Sequence, residues 1–282
     1  MFERLQRSWD LAMQCLAVLR DDKSLLLFPL FSAIAIVLLV ASFAVPLLPL
    51  LAALSPKSGR PPDHLLLYSV VFLFYFITFS VMNFFNTALV EVVLRRFDGE
   101  AATVAGGLRR AWARLPVILM YSIVAATAGT VLQAVEERVG FIGRIVIALI
   151  GFVWAVATAL VVPVLAAEDV GPYEAIARSA ELVRKTWGEQ IIGNTGIGLV
   201  FGLALGIVVV IGGLVAINAF MASPSLGIAL LAMLVLAVCL IALAQTTLQG
   251  IYAAALYRYA DGDTATGGLD ADLLGGAFLA RD

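Results

Sequence analysis

Apolar and polar positions alternate along this chain on two scales. On the larger, six apolar blocks at about residues 25–54, 65–94, 115–135, 142–167, 191–220 and 226–257 are separated by polar links. Each block reaches the ~20 residues that carry a helix through the hydrocarbon core of a bilayer. On the smaller scale, segments outside the blocks repeat apolar residues every three or four positions, the spacing of one helix face. Over Met1–Lys23 that face holds Phe2, Leu5, Trp9, Ala12, Leu16 and Leu19, opposite Glu3, Arg4, Arg7, Asp10 and Gln14. After Gly171 it holds Tyr173, Ile176, Ala180, Val183 and Trp187. Pro172 suits the first turn there, because its missing N–H would lack a partner anyway. Glu174 precedes Arg178 by four residues and Glu181 precedes Lys185 by four, which predicts ion pairs on the other face. The link 95–114 is long enough for a third such helix. All three are expected to lie in the headgroup plane or on the inner ends of the spans.

The pattern repeats internally. An apolar residue, any residue, a base, a small residue and Trp recur as Leu5-Gln6-Arg7-Ser8-Trp9, Leu108-Arg109-Arg110-Ala111-Trp112 and Val183-Arg184-Lys185-Thr186-Trp187. Leu94-Arg95-Arg96-Phe97-Asp98-Gly99 matches Leu256-Tyr257-Arg258-Tyr259-Ala260-Asp261-Gly262, and Thr87-Ala88-Leu89-Val90 matches Thr158-Ala159-Leu160-Val161. The expected fold is all-α: a polytopic membrane protein of six transmembrane helices, built as three tandem units of an interfacial amphipathic helix plus a transmembrane hairpin. The units fall at 1–98, 99–169 and 170–262, with a tail at 263–282. Convergence on a common membrane grammar, with Trp and Arg at every interface, is the alternative origin of the repeat.

Composition and charge sharpen this picture. Of 282 residues, 62% are hydrophobic and 13% charged, whereas soluble domains run at about 45–50% apolar and about 25% charged. Lipid is therefore the expected surrounding. Fourteen basic residues fall on the side that holds both termini and four on the other, so the termini are expected to be cytoplasmic. The first block begins too late and runs too long for a cleaved leader, whose apolar core spans about 7–15 residues, and is expected to be retained. Cys15 and Cys239 form neither a paired motif nor a metal site.

Three constellations stand out. Gly198, Gly202 and Gly206 strip one face of the fifth block, which favours packing against a span of the same chain, with a subunit interface or a Gly-lined path as the other readings. Asn83, Asn86, Thr87 and Glu91 in block two, Gln245 and Gln249 in block six, and Asn194 at the head of the fifth make polar runs at similar depth. They predict either inter-helix hydrogen bonds, with Glu91 paired to Arg95, or a polar cavity in the inner-leaflet half. Arg7 with Trp9, Arg110 with Trp112 and Lys185 with Trp187 predict contact with anionic lipid headgroups rather than nucleic acid. Pro46 and Pro49 are expected to kink or end the first block, and Pro163 lies near the end of the fourth. No catalytic set, metal site or cofactor loop can be assembled.

Arg7-Ser8-Trp9 and Asp22-Lys23-Ser24-Leu25-Leu26-Leu27-Phe28-Pro29, with the closing Ala255-Leu256-Tyr257-Arg258-Tyr259-Ala260, resemble the signature of an uncharacterised family of six-span bacterial membrane proteins. Leu269 departs from it where an aromatic residue is expected. The resemblance implies a bacterial inner-membrane location and carries no activity. The expected function is a non-enzymatic membrane partner subunit or lipid-organising protein, with a membrane protein or a second copy as candidate partners. The alternative is a small transporter or lipid permease using the polar runs.

Overall fold

A computed structural model describes Met13 and residues 15–53, 64–185 and 190–262, with backbone alone over 45–53, 64–68, most of 190–204 and 222. A 3₁₀ turn at Lys23–Leu26 leads into α1 (Leu27–Ala53), followed by α2 (His64–Phe97), α3 (Val104–Ala113), α4 (Leu115–Glu136) and α5 (Phe141–Ala157). Then come α6 (Val161–Ala167), α7 (Pro172–Lys185), α8 (Gln190–Ala222) and α9 (Pro224–Asp261). Every regular element among the described residues is helical, as the apolar periodicities require. Pro46 and Pro49 do not end α1, which runs through both to Ala53.

Five stretches are long and apolar enough to cross a membrane: Lys23–Ala44, Ser69–Phe97, Leu115–Glu136, Phe141–Ala167 and Pro224–Asp261. Only 6% to 22% of each apolar window is buried inside the protein. The remaining apolar surface suits lipid and no other solvent. The chain is a multi-pass membrane protein. Leu205–Met221 within α8 is a further, shorter apolar helix.

At 1.5 Å per residue, the 34 residues of α2 and 38 of α9 make rods of roughly 51 and 57 Å, against a hydrocarbon core of about 30 Å. The buried cluster gathers towards one end of both rods. Ala88–Leu94 of α2, Leu248–Tyr257 of α9, Phe28 of α1, Ile118 of α4 and Leu160–Ala166 around α6 pack together, capped by Leu19 and Cys15. α2 is the hub, touching α1, α3, α4, α6 and α9. α3 reaches it through Gly107, where a Cβ would meet Ala88 O and a Val92 methyl, each at 2.6 Å.

The fourth apolar block is not one helix. Pro163 has no N–H for the Ala159 carbonyl, and its ring would collide with that carbonyl in a continuous helix. α5 therefore stops at Ala157 and α6 starts at Val161. The link tightens into short turns, with Ala159 N–H donating to Val156 O at 3.2 Å and Val161 N–H to Thr158 O at 3.1 Å. Ser179 of α7 serves two of the groups this frees. Its hydroxyl donates to Ala157 O at 2.7 Å and accepts from Leu160 N–H at 3.0 Å, fully buried.

α7 differs from its predicted face. Pro172, Ala175, Ser179, Leu182 and Val183 are buried, while Tyr173 is 71% exposed. Small residues face inward because α7 must approach the interrupted span closely enough for the Ser179 hydroxyl to reach it. Glu174 does not pair with Arg178. Its carboxylate accepts the Gly171 N–H at 3.0 Å, half of a capping box. Lys185 does pair with Glu181, at 2.8 Å, and the pair lowers the Glu181 pKa.

Candidate functional site

α2 and α9 end alike. Gly99 takes φ +75°, so the Glu100 N–H reaches Arg95 O and the Gly99 N–H reaches Arg96 O, both at 2.9 Å. That paired closure serves carbonyls otherwise stranded at a helix end, and its left-handed residue favours glycine. Gly262 closes α9 with φ +88°. Each closure leaves an aspartate at the negative end of a helix dipole, where it needs a cation. Arg258 pairs with Asp98, and Arg178 donates to Asp261 at 2.6 Å.

Two further pairs extend the belt, Arg96 with Asp22 and Arg114 with Asp169. Arg178 also holds Glu168 at 3.1 Å, and the Tyr257 hydroxyl donates to the same carboxylate oxygen at 3.0 Å. The hydrogen bond from Arg178 to Glu168, ahead of the other nearby carboxylates, raises the Arg178 pKa. Each of these pairs is partly exposed to solvent and contributes little stability alone. Together they tie the start of α1 to α2, α4 to the loop before α7, α7 to α9, and α9 to α2.

Inside the belt, between α2, α3, α6 and α9, lies an open recess of about 500 Å³. Glu91, Asp98, Glu100 and Asp261 supply its carboxylates, and Arg95, Arg110 and Arg258 its guanidiniums. Arg95 Nε lies 2.7 Å from the Glu91 carboxylate, whereas its Nη1 stands 3.8 Å from Glu100, beyond hydrogen-bond reach. Arg110 has no carboxylate partner among the described residues, and its Nε is buried without an acceptor. Beside it Trp112 is 69% exposed, touching the protein edge-on at Phe84.

The polar runs disperse over several places. Glu91 enters the charged recess, paired with Arg95. Asn83, buried, donates to the Ser122 hydroxyl on α4 at 3.1 Å, an inter-helix bond. Thr87 is fully buried with no partner for its hydroxyl, whereas Thr78 and Ser80 return theirs to carbonyls one turn back. Asn86 lines an apolar groove of about 470 Å³ between α1, α2 and α9, with Thr246 and Cys239. Gln249 borders a recess of about 240 Å³ beside Leu160 and Tyr252, and Gln245 is half-buried. The Tyr252 hydroxyl is buried without a partner.

A methyl group added at Gly202 or Gly206 would meet nothing within 4 Å; α8 instead meets α9 at Gly212, against Leu234. Arg7, Trp9, Trp187 and the 263–282 tail lie outside the described residues, as do the side chain of Asn194 and the surroundings of Gly198. Asp98, Glu100, Tyr257, Arg258 and Asp261 join Glu91 and Arg110 in the recess, although the polar runs and basic clusters of the sequence do not point to them. The signal that does is the matched pair of helix ends, each an arginine followed within three residues by Asp-Gly. Among the described residues, no group of three or more His, Cys, Asp or Glu is placed to hold a metal ion.

A family model described as a family of unknown function (DUF6159) matches residues 65–268. The chain belongs to DUF6159. The matched segment contains nearly all of α2 and the whole of α3 through α9, with the closing Ala255–Ala260 motif, and begins after the Asp22–Pro29 motif. The charged recess therefore lies wholly within the DUF6159 segment. No curated protein and no solved structure matches the chain.

Proposed function

We propose that this DUF6159 chain is a bacterial inner-membrane protein with six spans and cytoplasmic termini that organises lipid at the inner leaflet without catalysing a reaction. α8 supplies the sixth span: its 33 residues extend roughly 50 Å at 1.5 Å each. The amphipathic helices α3 and α7, each preceding a hairpin, are the collars of the second and third tandem units. The observation that carries the reading is the exposure of Trp112 and Tyr173 on helices whose other faces are buried in the core. Tryptophan and tyrosine rings favour the headgroup layer, where a neighbouring base gains on the order of 1 kcal/mol from anionic lipid. The same end could also meet a membrane partner subunit or a second copy.

A fluorophore at position 112 tests this, using Trp112→Cys in a Cys239→Ser background. Labelling is expected only from the cytoplasmic side of membrane vesicles, with emission quenched by lipids brominated near the headgroup. Labelling from outside intact cells reverses the map, and an unquenched label removes the collar from the membrane. The competing reading, a small transporter or lipid permease, draws on the buried Thr87 hydroxyl and on the interrupted span next to Gln249. Proteoliposomes that scramble labelled lipid between leaflets would favour it.

A further inference from the structure

We propose that the recess inside the arginine–aspartate belt binds a phosphate group carrying a nearby primary amine, the phosphate through Arg110 and the amine through the carboxylates, chiefly Glu100. Arg110 is the recess guanidinium that no carboxylate answers among the described residues, with a buried Nε lacking an acceptor there. A guanidinium presents a planar fork of N–H donors that phosphate oxygens match two at a time. Arg95 adds a second donor set, because its contact to Glu100 is 3.8 Å and gives way without breaking a hydrogen bond.

A bare anion suits this place poorly. Four carboxylates line the recess against three guanidiniums, and Glu100, with no arginine in hydrogen-bond reach, would repel it. A ligand that brings its own ammonium reverses that term, and three N–H donors match a rim of carboxylates. The Glu100 side chain is 61% exposed and Asp261 42%, so the rim is open to an incoming amine. The volume of about 500 Å³ holds a headgroup-sized ligand. The chemistry is that of ethanolamine phosphate, either as the head of a phospholipid or free in the cytoplasm. The lipid source rests on the membrane reading above; the free source does not.

The test is ligand retention by the purified full-length chain, read by native mass spectrometry for phosphatidylethanolamine and phosphatidylcholine and by titration with phosphoethanolamine and inorganic phosphate. Phosphatidylethanolamine is expected to be retained at least tenfold over phosphatidylcholine, whose quaternary amine has no N–H. Arg110→Gln is expected to lower retention at least tenfold, while Arg109→Gln, on an exposed neighbour, leaves it unchanged. Glu100→Gln is expected to narrow the preference between the two lipids. Binding of phosphoethanolamine without lipid retention upholds the chemistry and assigns the source to the cytoplasm. Equal retention of both lipids with no phosphoethanolamine binding overturns the proposal, as does inorganic phosphate binding as tightly as phosphoethanolamine. If Arg110→Gln lowers the unfolding temperature, Arg110→Lys decides, since it keeps the charge and loses the fork. Intermediate retention upholds the site, and retention equal to the Arg109→Gln chain overturns it. The label at position 112 reports collar depth independently of this recess, so the two readings fail separately.

Discussion

Ser179 shows how much one small side chain settles. A serine in an amphipathic helix reads as an ordinary polar position, and nothing in its spacing distinguishes it. Only the folded chain brings its hydroxyl to Ala157 O and Leu160 N–H, 22 and 19 residues away. Ser179→Ala would leave a buried carbonyl and a buried amide unpaired. At about 1–3 kcal/mol for each unsatisfied group, the unfolding temperature in detergent should fall by several degrees, with helix content retained. Glu174 teaches the converse: its four-residue spacing to Arg178 is real, yet the helix start claims the carboxylate and Arg178 turns to Glu168 and Asp261. Local spacing lists the options open to a charge, and distant groups choose among them. The Glu91–Arg95 pair forms as its spacing allows, with Glu100 left at 3.8 Å.

At the level of helices, periodicity and length were legible and contact points were not. The apolar blocks located the long helices, but the break in the fourth, just before Pro163, was not anticipated from them. Glycine spacing pointed elsewhere than the contacts do. Gly202 and Gly206 stand at regular intervals and face open space, whereas Gly107, in a short and weakly apolar helix, sits against the backbone of α2. The reason is physical: a glycine permits close approach, but the fold decides which helix arrives. Gly107→Val forces side-chain atoms into the Ala88 carbonyl and should destabilise by about 1–3 kcal/mol, the usual range for overpacking. Gly202→Ala, made in parallel, should leave the melting curve unchanged. A reversal of these two results would place the helix contact at the glycine stripe instead.

Across the whole molecule, lipid and protein divide the chain between them, and the two cysteines sample both. Cys15 is fully buried in the core at the arginine-rich end, and burial raises its thiol pKa to about 12. Cys239 is exposed, on the apolar groove. A small membrane-permeant maleimide at about pH 8 is expected to leave Cys15 untouched until denaturation, because the core shields the thiol and keeps it protonated. Stability should also decline as pH rises from about 9 towards 12, where an unfolded Cys15 ionises and the folded one does not. Rapid modification of Cys15 in the native state would show the core end to be open. The division between the two solvents was legible in composition. That the recess would gather carboxylates from helix ends far apart in sequence was not, because the closures at Gly99 and Gly262 become neighbours only when α2 and α9 pack.

The overshoot of α2 and α9 past the bilayer has a mechanical consequence. Side-chain interlocking is concentrated where those rods emerge, and α5 has no buried residue at all. Among the described residues, the end that carries the belt is the more tightly interlocked, and elsewhere contacts such as Phe43–Phe74 and Gly212–Leu234 are sparser. When membrane thickness or tension changes, the less interlocked ends should fan apart while the belt end stays put, which makes the belt the pivot of whatever movement this protein undergoes.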